Sequence, residues 1–136
     1  MRRGDIVICA LQGDSGNPRP AVVVQSDLFS ATHPSVTICQ VTSEFIDAPL
    51  FRISIDPSAN NGLKKPSQIM IDKIQSAARA KIGKVVGKLE PGQLELVDHA
   101  LALWIGPPDA VMVRRHEVQR GGGSARLTRK PASRGR

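Results

Sequence analysis

The chain has no tyrosine, three phenylalanines and a single tryptophan in 136 residues. Stacking on aromatic side chains therefore cannot be its main mode of recognition. Its two cysteines, Cys9 and Cys39, are too few for a disulfide-built scaffold. Both fall inside apolar, strand-like runs and read as reduced core residues. The three histidines, His33, His99 and His116, are scattered, with no i, i+4 pair and no CxxC element, so no metal-site signature is present. No Gly-rich phosphate cradle follows a strand. No apolar run approaches the ~20 residues of a membrane span. Arg2 and Arg3 are followed at once by Gly4 and Asp5 rather than by a secretory apolar segment. A cytoplasmic protein with no metal and no cofactor is expected.

What the chain does have is positive charge, and its location matters more than its sum. The formal charge is +7. Residues 1–106 hold 11 Lys and Arg against 10 Asp and Glu, whereas residues 107–136 hold 8 against 2. The expected folded domain, residues 1–106, is thus nearly neutral, and a pI near 10.1 says nothing about nucleic acid binding by that domain. Beyond Asp109 apolar periodicity is lost. Gly121-Gly122-Gly123-Ser124 reads as a linker, and the basic segment after it as disordered. This tail, 107–136, is either a phosphate-binding arm of non-specific, salt-dependent affinity or an extension with no role.

Within the domain, short β-branched runs alternate with turn-rich connections. Asp5–Leu11, Pro20–Gln25 and Val36–Val41 read as buried strands. Leu50–Ile55 alternates, with Phe51, Ile53 and Ile55 on one face and Arg52 and Ser54 on the other. Ser67–Ile74 alternates again, Ser26–Ser35 and Asp56–Pro66 read as loops, and Lys84–Leu89 is a last strand. After Pro91 the period changes: Leu94, Val97, Leu101 and Trp104 form one stripe of an amphipathic helix, stopped by Gly106, Pro107 and Pro108. The fold class is therefore mainly β with a C-terminal helix: a small antiparallel barrel or two-layer sheet.

Two strand ends stand out. Arg19 opens one buried run, and Thr42 and Ser43 close another. Singly, each has an ordinary reading, a surface ion pair for Arg19 and a strand terminus for the two hydroxyls. Together, a fixed cation and a hydroxyl on rigid strand ends suit a phosphate. With their flanks (Arg3-Gly4-Asp5-Ile6-Val7, Arg19-Pro20-Ala21-Val22-Val23-Val24-Gln25, Val41-Thr42-Ser43, Gly83 and Gly87-Lys88-Leu89) they resemble the MazF/PemK family of bacterial toxins over the whole of residues 1–106.

That resemblance implies an SH3-like barrel of the PemK/CcdB type and a homodimer, neutralised by a cognate MazE/PemI-type antitoxin whose C-terminal segment covers the RNA groove. It implies metal-independent, sequence-specific cleavage of single-stranded RNA (mRNA) to 2′,3′-cyclic phosphate and 5′-OH ends, halting translation and growth. Carried onto this chain, it makes Arg19 and Thr42 catalytic. Ser43, Asn17, Gln68, Asp72 and His33 are the expected RNA-binding residues, with the loops Gly13–Pro18 and Ser43–Pro49 reading base edges. The chain departs from the family pattern in a shorter Gly13–Pro18 loop without a Glu-Gln element, in Lys73 after Asp72, and in Met70 two residues before it, so a different cut sequence is expected. Two other readings of the same residues are a CcdB-like gyrase-inhibiting toxin and a non-catalytic RNA-binding module.

Overall fold

The computed structural model describes residues 1–11 and 17–106. The expected disordered tail, 107–136, and most of the loop Gly13–Pro18 lie outside the described residues. The chain divides into Met1–Trp104, one compact unit, and Ile105–Arg136.

Seven strands run β1 (Asp5–Ala10), β2 (Pro18–Val23), β3 (Ser35–Thr42), β4 (Arg52–Ile55), β5 (Ser67–Met70), β6 (Gln75–Ala78) and β7 (Ile82–Lys88). A short helix α1 (Asp27–Ser30) interrupts the segment expected to be a loop, and α2 (Pro91–Ile105) is the expected C-terminal helix. All pairings are antiparallel. The sheet runs in the order β4-β5-β3-β2-β1-β7, with β6 branching from β3. The expected barrel is not closed: β4 and β7 are the two ends of this path. β3 is the hinge of the curvature, because its first half, Ser35–Ile38, pairs with β6 while its last residues, Val41 and Thr42, pair with β5.

Strict alternation along β1, β2 and β3 feeds two cores. Ile6, Val22, Cys39 and Val41 join Ile55, Ile69, Ile71 and the helix residues Val97 and Ala100 in one cluster. Val7, Cys9, Ala21, Val23, Val36 and Ile38 join Ala77 in the other. These strands are apolar on both sides because both sides are covered. The helical stripe is seated as expected at Leu94, Val97 and Leu101. Trp104 lies at its margin, 46% exposed, with its ring 5.6 Å from that of Phe51.

The strand expected over Ser67–Ile74 ends at Met70. A 3-10 turn at Ile71–Lys73 follows, and β6 begins at Gln75. The bend has a local consequence for Arg52, which alternation placed with Ser54 on the open face. Its side chain is only 9% exposed, and the guanidinium forms two parallel bonds to Asp72, Nε–Oδ1 at 2.7 Å and Nη2–Oδ2 at 3.0 Å. Cys9 and Cys39 are buried and not joined in a disulfide.

Candidate functional site

The strands β1, β2 and β3 converge on one end of the sheet. The β2–β3 ladder pairs Val23 with Ile38, Val22 with Cys39 and Ala21 with Gln40. Continuing that register by two residues sets Arg19 against Thr42. The ladder's last pair is Ala21–Gln40, although β2 begins at Pro18 and β3 runs on to Thr42. Pro20, in the gap, has no N–H to contribute to a ladder.

Beyond that last rung the strands border a cavity of about 280 Å³. Arg19, Thr42 and Ser43 are among the residues that line it. Its apolar lining includes Ile8 and Val41, the loop between β4 and β5 contributes Lys64 and Lys65, and the first residue of β5 contributes the hydroxyl of Ser67. Among the described residues the lining therefore carries three cations and three hydroxyls, and no carboxylate, imidazole or thiol. Such a surface attracts anions and offers a general base no carboxylate or imidazole.

The hydroxyl of Thr42 is oriented by its own turn. The backbone N–H of Glu44 donates to Thr42 Oγ1 at 3.1 Å. That bond uses one acceptor site of the hydroxyl and leaves its single O–H available to donate, as recognition of a phosphate oxygen requires. Arg19 is exposed. Among the described residues no carboxylate forms an ion pair with it, whereas Arg2, Arg3 and Arg52 each have one.

The other expected site residues are placed differently. Asn17 is exposed and lies two residues before Arg19. Gln68 is 5% exposed, and its amide is used inside the protein: Oε1 accepts from Ile46 N at 3.2 Å and Nε2 donates to Ile46 O at 3.0 Å. It thus holds the Ser43–Pro49 loop rather than facing the cleft. Asp72 is occupied by Arg52, whose hydrogen bonds hold the Asp72 carboxyl below the usual carboxylate range despite partial burial. His33 precedes the far end of β3, its Nδ1 within hydrogen-bond distance of Ser35 N and Oγ. Eight residues of strand separate that end from Thr42, on the order of 20 Å. The structure thus brings Arg19, Thr42 and Ser43 together, and leaves Gln68, Asp72 and His33 out of the cavity lining.

Sequence reasoning missed Lys64 and Lys65. The available signal was Asn60-Asn61-Gly62 shortly before a lysine pair, a tight turn presenting charge. Cys39 is excluded as a nucleophile, since burial, with the Asp72 charge adding, pushes its thiol up to about 12. Among the described residues no three His, Cys, Asp or Glu side chains cluster as a metal site would require, and no helix is long and apolar enough to cross a membrane.

Comparison with known proteins identifies the same scaffold. A family described as "PemK-like, MazF-like toxin of type II toxin-antitoxin system" matches residues 2–105. The chain is 41% identical over 107 residues to a probable endoribonuclease MazF of Mycolicibacterium smegmatis, covering 78% of this chain and 97% of that relative. An endoribonuclease solved in complex with its cognate antitoxin, from a mycobacterial species, superposes with a TM-score of 0.68 at 20% identity, covering 79% of this chain and 97% of that one. A MazE–MazF crystal structure from Deinococcus radiodurans gives a TM-score of 0.64 at 18% identity, covering 78% and 95%.

Proposed function

The chain belongs to the PemK-like, MazF-like toxins of type II toxin–antitoxin systems, and from that premise we propose that its chemistry runs on single-stranded RNA in the Arg19–Thr42 cleft. As a member it is a toxin endoribonuclease. The observation that carries the assignment to this cleft is the meeting of an exposed guanidinium and a threonine hydroxyl in the lining of one cavity, with no carboxylate among the described lining residues.

In this reading the substrate supplies the nucleophile. A ribose 2′-OH attacks the adjacent phosphorus, the P–O5′ bond breaks, and the products are a 2′,3′-cyclic phosphate and a 5′-OH. Arg19 offsets charge on the phosphorane oxygens through its planar fork, which stays protonated at neutral pH and matches two oxygens. Thr42 donates to a phosphate oxygen and helps to hold the attacking and leaving oxygens in line. Ser43 stands beside it as a second donor. The proton leaving the 2′-OH passes to solvent, and the 5′ oxygen takes one up from solvent or from Arg19. With no carboxylate or imidazole base among the described lining residues, the cleft depends on positioning, and turnover is modest. No metal enters the scheme. A homodimer and a cognate antitoxin that covers the cleft complete the proposal, the latter supported by the antitoxin complexes of its structural neighbours.

The test is cleavage of single-stranded RNA in excess chelator. Discrete cuts with cyclic-phosphate ends are expected. Arg19→Ala should lower kcat by about 10²–10³-fold, the usual cost of losing one oxyanion donor, and Thr42→Val by a smaller factor. Intact RNA with inhibited DNA supercoiling would instead establish a gyrase-directed toxin and overturn the assignment.

A further inference from the structure

The cavity is overcharged for the one phosphodiester that the reaction consumes. That group carries a single negative charge, and Arg19 and Thr42 suffice to hold it. Lys64 and Lys65 enter from a different element, the loop between β4 and β5, and line the same cavity. Both are exposed, and among the described residues neither has an ion-pair partner.

The loop that presents them is held firmly. Asn61 is 1% exposed. Its Nδ2 donates to Asp56 O at 2.8 Å, and its Oδ1 accepts from Ser58 N and Leu63 N, each at 3.0 Å. Gly62 adopts φ +70°, and a Cβ there would lie 2.4 Å from Val86 O. A Cβ on Gly87 would lie 2.3 Å from the carbonyl carbon of Asn61. Two bare backbones therefore pack against each other, and only glycine permits it at either position. Lys88 N donates to Asn60 O, and Ser67 Oγ donates to Lys65 O, each at 2.8 Å. The backbone that carries the two solvated ammonium groups is therefore preorganised, and binding a ligand there costs only the ordering of the lysine side chains.

We propose that Lys64 and Lys65 form a second phosphate subsite that takes a phosphodiester flanking the scissile one and sets the path of the RNA strand through the cleft. They are positioning residues and touch no reacting atom. The inference rests on the ribonuclease reading and deepens it, by assigning the β4–β5 loop to strand binding.

The experiment uses the full chain and a single-stranded oligoribonucleotide with one cut site. Lys64→Gln/Lys65→Gln should raise KM about tenfold at about 50 mM monovalent salt while kcat stays within about twofold, and the salt dependence of log(1/KM) should become shallower by about 0.7, the slope lost with one phosphate contact on a single strand. Lys73→Gln/Lys88→Gln, with the same loss of charge away from the cavity lining, should leave both quantities unchanged. Replacing flanking phosphates one at a time by methylphosphonate should reveal one position that costs the parent enzyme as much as the double substitution, and costs the substituted enzyme nothing more. Unchanged KM and salt slope, equal effects in the control pair, or no coupled position would overturn the subsite. If the parent enzyme leaves RNA uncut, the ribonuclease reading fails. The same variants compared by anisotropy on an uncleavable 2′-deoxy oligonucleotide then decide the subsite separately: weaker binding by the Lys64/Lys65 variant alone supports it, and equal binding overturns it.

Discussion

Asp72 shows how a residue's partner decides its role. Its carboxylate looked available for RNA, yet two guanidinium nitrogens of Arg52 occupy both its oxygens, in a setting where the side chains are 9% and 18% exposed. The pair holds the Asp72 carboxyl below its ordinary value, chiefly through those hydrogen bonds. A depressed folded-state value means that the stabilisation is complete above the ordinary carboxylate value of about 3.9 and is lost as pH falls through the lower one. Asp72→Asn should therefore cost about 2 kcal/mol at neutral pH, the scale of a hydrogen bond to a charged group. The difference from the parent should shrink on acidification below about pH 4. Urea midpoints at neutral and acid pH measure it, and a constant difference would show that the pair contributes nothing through its charge.

Among the elements, β5 departs furthest from its sequence pattern. Alternation assigned Gln68 and Ile69 to opposite faces, one open. In the structure Ser67, Gln68 and Ile69 are all buried, at 5%, 5% and 0% exposure, because the loop after β3 folds over β5. Gln68 acts there as a surrogate strand, bonding both polar groups of Ile46 as a neighbouring backbone would. Gln68→Ala should leave the Ile46 N–H without a protein partner and its C=O with the Ala48 N–H alone, costing about 1–3 kcal/mol. It should also loosen the loop that begins at Ser43, beside Thr42. The expected result is a several-fold fall in kcat with faster amide exchange confined to residues 43–51. Loss of stability with unchanged kcat and exchange would make Gln68 a packing residue only. The β4–β5 loop shows the reverse relation. Its residues read correctly as a turn, but the turn's place over β7 depends on two glycines whose contact lies 25 positions apart in sequence.

For the whole molecule, charge and chemistry are separated. Residues 1–106 carry a formal +1 and residues 107–136 a formal +6, while the cations Arg19, Lys64 and Lys65 of the described cavity lining belong to the first segment. Ending the chain at Gly106 should leave cleavage at physiological salt unchanged and weaken non-specific RNA binding at low salt, where a polybasic segment contributes most. Cleavage rates and filter binding over a salt series check this, and lost cleavage at physiological salt would make the basic segment part of the enzyme.

Local regularities of the chain were enough to specify the β-rich class, the terminal helix with its buried stripe, the inert cysteines and the two strand ends bearing Arg19 and Thr42. Each of these follows from periodicity or from residue type within a few positions, which short-range sterics and burial enforce. The open edge between β4 and β7, the Arg52–Asp72 pair, the inward turn of Gln68 and the arrival of Lys64 and Lys65 at the cavity were settled by the tertiary structure. These depend on which distant backbones come into contact, and the free energy of such contacts is shared among residues that no local pattern links.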